Sequence, residues 1–146
     1  EFDEEVEPDG ESKLNRKEAD LIVRLVNQLI AAGVQPADIG VIAPYAAQVR
    51  LLRHQIDQAS IEVDTVDGFQ GREKEAILLT MVRCNDRQEI GFLADTRRTN
   101  VAMTRARRCL MMVGDSATLG SNAFYASLLE HFDQQNTYRS VWEFLT

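Results

Sequence analysis

The chain has 146 residues, enough for one domain with its own core. Hydrophobic residues make up 45% and charged residues 27%, the profile of a soluble globular protein. The formal charge of −7 argues against nucleic acid being drawn to the whole surface, and no apolar run reaches bilayer length, so no membrane partner is expected.

Residues 1–13 read as an acidic, solvated lead-in containing Pro8 and Gly10, without the basic-then-apolar layout of a signal peptide. A helix is predicted from Asn15, a good N-cap with Glu18 three residues on as a capping-box partner. Ile22, Leu25, Val26, Leu29 and Ile30 share its apolar face, and Gly33 suits the C′ position. IGVIA at 39–43 reads as a buried strand. A second helix carries Tyr45, Val49, Leu52 and Ile56 on one face, and residues 61–65 read as another strand.

The polar stretch VDGFQGREKE precedes AILLTMV at 76–82, a continuous apolar run typical of a strand covered on both faces. Residues 83–95 read as loop, and 97–106 as a short helix. CLMMV at 109–113 is a second apolar run of the same kind. A last helix over 121–135 is expected to bury Phe124, Leu128, Leu129 and Phe132, with the tail packing back through Trp142 and Phe144. Strands alternating with helices predict an α/β fold, a three-layer sandwich with a mainly parallel sheet. In such folds the carboxyl ends of the strands carry the chemistry, which points to PYAAQ, TVDGFQGRE, VRCND and VGDS.

Several chemistries are excluded. No GxxxxGK[ST] and no GxGxxG is present, and His54 and His131 lie far from any nucleophile elbow. Cys84 and Cys109 show no ligand-type spacing, so they read as buried free thiols in a reducing, cytoplasmic setting, and no metal site is expected. What remains is TRRTNVAMTRARR at 96–108, with five arginines and no acid, beside a loop carrying Gly68, Gly71 and Glu73. Arginine stabilises developing phosphoryl charge, glycine admits a close ligand, and a carboxylate can hold ribose hydroxyls. The set reads as half of a nucleotide site whose phosphate cradle lies elsewhere.

These segments resemble superfamily 1 helicases, in the branch of the nonsense-mediated-decay and mu-binding-protein helicases. DTVDGFQGREKEAILLTMVR at 64–83 resembles motif V, RRTNVAMTRARRCLMMVGD at 97–115 motif VI, and IGVIAPYAAQVRLL at 39–52 motif IV. LNRKEA at 14–19 resembles the segment opening the first helix of the same domain. The resemblance implies a second RecA-like motor domain over 14–146, of P-loop NTPase type but without its own P-loop. ATP and Mg²⁺ are the implied cofactors, with the Mg²⁺ ligands on a first RecA-like domain outside this sequence. The implied partners are that first domain and single-stranded DNA or RNA; the isolated chain is expected to be monomeric and inactive.

The same resemblance implies residue roles. Arg105 would be the arginine finger, Glu73 the ribose ligand, and Gly71 a point of close backbone approach. Arg98 and Asn100 would organise the motif VI helix and its contact across the cleft. Thr65, Val66 and Asp67 would lie near the nucleic-acid backbone, with Pro44, Tyr45 and Gln48 beside them. Blander readings stand next to these. Arg98 suits a buried or interface ion pair, and Arg97, Arg107 and Arg108 have no assigned role. Phe69 suits a core plug, Gln48 an exposed helix position, and Tyr45 either the core or the strand path. A non-catalytic RecA-like module, binding nucleic acid or protein, is the alternative to a motor.

Overall fold

The computed structural model describes residues 2–8, 10, 12–69 and 72–144. Its centre is a four-stranded, all-parallel sheet. The strands are β3 (Ile39–Ile42), β4 (Glu62–Asp64), β5 (Lys74–Thr80) and β6 (Ala106–Val113), in the order β4-β3-β5-β6. Two short strands, β1 (Glu5–Val6) and β2 (Lys13–Leu14), form a separate antiparallel hairpin.

Strand periodicity divides the core into two faces. Val41, Ala76, Leu78 and Val113 join Ile22, Leu25 and Val26 of α1 (Arg16–Ala31) and Val49 and Leu52 of α2 (Ala46–Gln55). Ile42, Ile77, Leu79 and Met81 point the other way, toward Ala102 of α3 (Thr96–Met103), Leu119 of α4 (Ser116–Leu119) and Tyr125 of α5 (Ala123–Gln134). The expected three-layer α/β sandwich is therefore the observed architecture. Each fully buried Leu or Ile of β5 contributes about 1.5–3 kcal/mol to holding the layers together.

Helix α1 starts and stops where its signals lie. Asn15 Oδ1 accepts the Glu18 N–H at 3.1 Å. At the other end Gly33, at φ 103°, lets Val34 N–H reach the Leu29 carbonyl and Gly33 N–H reach that of Ile30, both at 3.0 Å. This is the Schellman pattern, which satisfies the last carbonyls of the helix.

Four expectations are corrected. The lead-in keeps exposed residues such as Glu5 and Val6 but is also attached to the domain: Phe2 packs against the α1–α2 face of the core, and Glu4, Glu5 and Glu7 pair with Arg83, Arg16 and Arg50. The strand β6 lies at the sheet edge, so Cys109–Met112 are only half-buried; an apolar run specifies burial but not the number of neighbours. Of the helix face over 121–135, Tyr125 is the residue fully buried, and Phe124, Leu128 and Leu129 pack partly against it. In the tail, Phe144 packs back but Trp142 is 70% exposed, carried outward by a short 3₁₀ turn at Val141–Phe144.

Candidate nucleotide and nucleic-acid site

Because β4 and β5 run parallel, the connection between them must travel from the carboxyl end of the sheet to its amino end. The described residues of that connection are 65–69 and 72–73. Phe69 anchors them, fully buried beneath the loop, and its N–H donates to the carbonyls of Thr65 (3.2 Å) and Val66 (3.1 Å). Gly40 makes room for the ring: a Cβ there would stand 2.9 Å from Phe69 and 2.8 Å from Ile77. Phe69 is thus the core plug rather than a stacking platform. Gly71 lies outside the described residues.

At the amino end, Lys74 and Ala106 are partners in the parallel register, and the Lys74 N–H donates to the Arg105 carbonyl at 2.9 Å. Glu73 and Arg105, each just before its strand, therefore stand on the same edge. Arg107 reaches Glu73 at 3.4 Å and Glu75 at 3.5 Å, while Arg108 takes the other oxygen of Glu75 at 3.1 Å. Arg97 pairs with Asp95, and Arg98 with Asp95 and Asp67, at 3.5–3.7 Å.

Arg105 stands apart from the other four arginines. Its guanidinium donates to the Val101 carbonyl and the Thr104 hydroxyl, both at 3.3 Å, and among the described residues no carboxylate pairs with it. A cation held by neutral acceptors keeps its capacity for an anion.

Two sequence expectations change here. Arg105 is not in the helix, because α3 ends at Met103, where Thr104 N–H bonds the Asn100 carbonyl and the chain enters the sheet at Ala106. Nor do Arg105 and Glu73 sit at the carboxyl ends of the strands. They belong to the connections entering β5 and β6, not to those leaving them.

The carboxyl end carries a shallow cleft, in which Pro44, Thr65, Val66 and Asp67 face Phe92 and Arg98. Arg98 is 56% exposed here, not buried, and its ion pair with Asp67 ties α3 to the 65–73 loop. Asn100 is exposed on α3. Thr99 anchors that helix from beneath: its hydroxyl shares a 2.7 Å bond with that of Tyr125, which also donates to the Leu93 carbonyl at 2.6 Å.

Gln48 is neither strand-facing nor an exposed helix position, and of its two readings Tyr45 takes the core. Gln48 is fully buried: it accepts the Asn15 N–H at 2.9 Å and donates to the Asn15 carbonyl at 3.0 Å and the Thr80 hydroxyl at 3.3 Å. Every polar atom of that amide is engaged inside the fold. Tyr45 is 4% exposed beneath Phe92, and its hydroxyl accepts from Arg83 at 3.2 Å.

Gln48 is part of a buried polar cluster at the end of β5. Glu18 accepts from the Thr80 hydroxyl (2.7 Å) and the Val82 N–H (3.0 Å), and the Asn15 amide donates to the Val82 carbonyl (2.9 Å). Val82 has φ 68°, an unfavourable conformation for a β-branched residue. The cluster grips it on both sides and so turns Arg83 inward, where its guanidinium donates to Glu4 at 2.6 Å. Burial pushes the Glu18 carboxyl up to about 7, against the lowering effect of its bonds from Thr80 and Val82. Cys84 and Cys109 are free and half-buried, and burial followed by the nearby Asp115 charge pushes the Cys84 thiol up to about 12.

A family model described as an AAA domain matches residues 1–117. The chain is 48% identical to the DNA-binding protein SMUBP-2 of Mus musculus over 141 residues, 95% of this chain and 14% of that protein. The regulator of nonsense transcripts 1 homolog of Neurospora crassa is 43% identical over 138 residues, 88% of this chain and 13% of that protein. The chain belongs to the superfamily 1 helicases, as an AAA domain from their C-terminal part. It is also 48% identical over 111 residues to the DNA polymerase alpha-associated DNA helicase A of Schizosaccharomyces pombe, 75% of this chain and 17% of that protein. The chain thus spans about one-seventh of the length of the curated relatives it matches.

In this helicase domain, sequence reasoning missed the buried Asn15–Glu18–Gln48–Thr80 cluster and the inward Arg83. A polar residue amid an apolar helix face was the available signal at Gln48. The exposed Phe92 was also missed, although Gly91 beside it marks a tight turn at φ 54°.

Proposed function

We propose that this domain supplies the second wall of an interdomain ATP site in a helicase, with Arg105 as the arginine finger and Glu73 as the ribose ligand. The reading rests on Arg105 being the arginine of the 96–108 cluster without a carboxylate among the described residues, on the same sheet edge as Glu73. The residues fit half of such a site. Arg105 offers its guanidinium to a phosphate held by a P-loop-bearing first domain, and Arg107 holds the Glu73 carboxylate toward the same edge. ATP with Mg²⁺, when bound, supplies the phosphoryl transfer that drives the motor. The Mg²⁺ ligands belong, in this reading, to the P-loop-bearing first domain.

The proposed track is a single strand of DNA or RNA passing the carboxyl end of the sheet, touching Pro44, Thr65, Val66 and Asp67. A motor that steps along any sequence must grip sugar and phosphate rather than base edges. The β4–β5 connection leaves the sheet at the track and re-enters it at the nucleotide edge, which gives movement at one end a route to the other. Among the described residues no helix is long and apolar enough to cross a membrane.

The test is ATP turnover by the full-length protein with matched DNA and RNA strands. A motor shows turnover stimulated by one or both; a non-catalytic module shows none. The 146-residue chain alone is expected to hydrolyse no ATP.

A further inference from the structure

We propose that Phe92 is a stacking platform for a nucleobase of the bound single strand. The proposal rests on the strand path given above and adds a side chain that carries affinity along it.

Phe92 is 62% exposed, an unusual state for a phenylalanine at a cleft. Its ring is not loose. One face stacks on Tyr45, with centroids 5.1 Å apart and planes 23° apart. Tyr45 in turn is buried, and its hydroxyl is held by the inward Arg83. The backbone is fixed as well. Gly91 approaches so closely that a Cβ there would lie 2.2 Å from Arg83 Nη1 and 2.8 Å from the Tyr45 hydroxyl. On the other side Leu93 is buried, and its carbonyl accepts from Tyr125. The outer face of Phe92 is therefore a flat, immobilised aromatic surface facing solvent, flanked in the cleft by Thr65, Val66 and Arg98.

A base stacking there continues the Tyr45–Phe92 stack by one ring and pays no ordering cost on the protein side. Every base has a π-face, so the contact is sequence-tolerant, as a translocating motor requires. The exposed aromatics Trp142 and Tyr138 differ. They lie on the tail after α5, and neither stacks on a ring among the described residues.

The test uses the full-length protein and fluorescence anisotropy with a labelled thymidine oligonucleotide and its abasic counterpart of the same length. Wild type is expected to bind the thymidine strand more tightly than the abasic one. Phe92→Ala is expected to weaken thymidine binding about tenfold, toward the lower end of base–aromatic stacking, and to bind the abasic strand as wild type does. Phe92→Trp is expected to retain thymidine binding, whereas Phe92→Leu, which still covers Tyr45, is expected to lose it. Unchanged thymidine binding by Phe92→Ala, or equal losses on both strands, overturns the platform. A wild type that binds neither strand overturns the track itself, and the platform with it.

Discussion

The Lys74 N–H donates to the Arg105 carbonyl at 2.9 Å, and this one bond fixes the two motif ends to each other. It joins the residue after Glu73 to Arg105 itself across the parallel strands β5 and β6. Two side chains more than thirty positions apart in the chain thereby share an edge, and the rigidity of the sheet sets their spacing. Arg105 precedes a strand rather than lying in the helix, so the sheet holds its backbone.

Arg107 is expected to act through Glu73. Arg107→Ala in the full-length protein should raise the KM for ATP about two- to fivefold, the worth of an exposed ion pair, with kcat little changed. Arg108→Ala, whose partner is Glu75, should leave both values near wild type. Steady-state ATPase kinetics of the two variants check the difference.

Gln48 is expected to matter for stability, not for the strand. Gln48→Ala leaves the buried Asn15 N–H without its acceptor, and should cost about 1–3 kcal/mol in urea unfolding. Affinity for single strands should stay within about twofold of wild type, since a buried amide makes no contact with ligand. A large affinity loss with unchanged stability would return Gln48 to the strand path.

These cases show what the sequence carries and what it does not. The α1 cap at Asn15 and stop at Gly33 are legible because both signals are local to the chain. The two-sided burial of β5 is legible from its continuous apolar run. The edge position of β6 is not, since its run looks the same as that of β5 and only pairing distinguishes them. The place of Arg105 is obscured for a related reason: residues 97–106 read as one helix, but register with Lys74 and Ala76 pulls the chain from Ala106 onward into the sheet. Gln48 reads as exposed and Tyr45 as either core or strand path, because their burial depends on Asn15, Arg83 and Phe92, all distant in sequence. The family motifs identified the domain without saying which of their residues face inward.

Glu18 gives stability a pH dependence of defined sign. Its carboxyl titrates near 7 when folded and near the ordinary value of 4.5 when unfolded, so the folded chain retains the proton longer. The contribution is fully present below pH 4.5, declines as pH rises from 4.5 to about 7, and is flat above that. The decline from this residue amounts to at most about 3 kcal/mol. Glu18→Gln cannot ionise, so its stability should fall less than that of wild type over the same window. Urea unfolding of both proteins at several pH values checks this, and parallel curves would remove Glu18 as the source.

ATP turnover by Arg105→Ala in the full-length protein decides whether Arg105 serves phosphoryl transfer, as proposed, or strand binding. A loss of about 10³-fold or more in strand-stimulated kcat is expected, with single-strand affinity within about twofold of wild type. Wild-type turnover in that variant, or a loss of strand affinity large enough to explain the loss of turnover, would contradict the proposal.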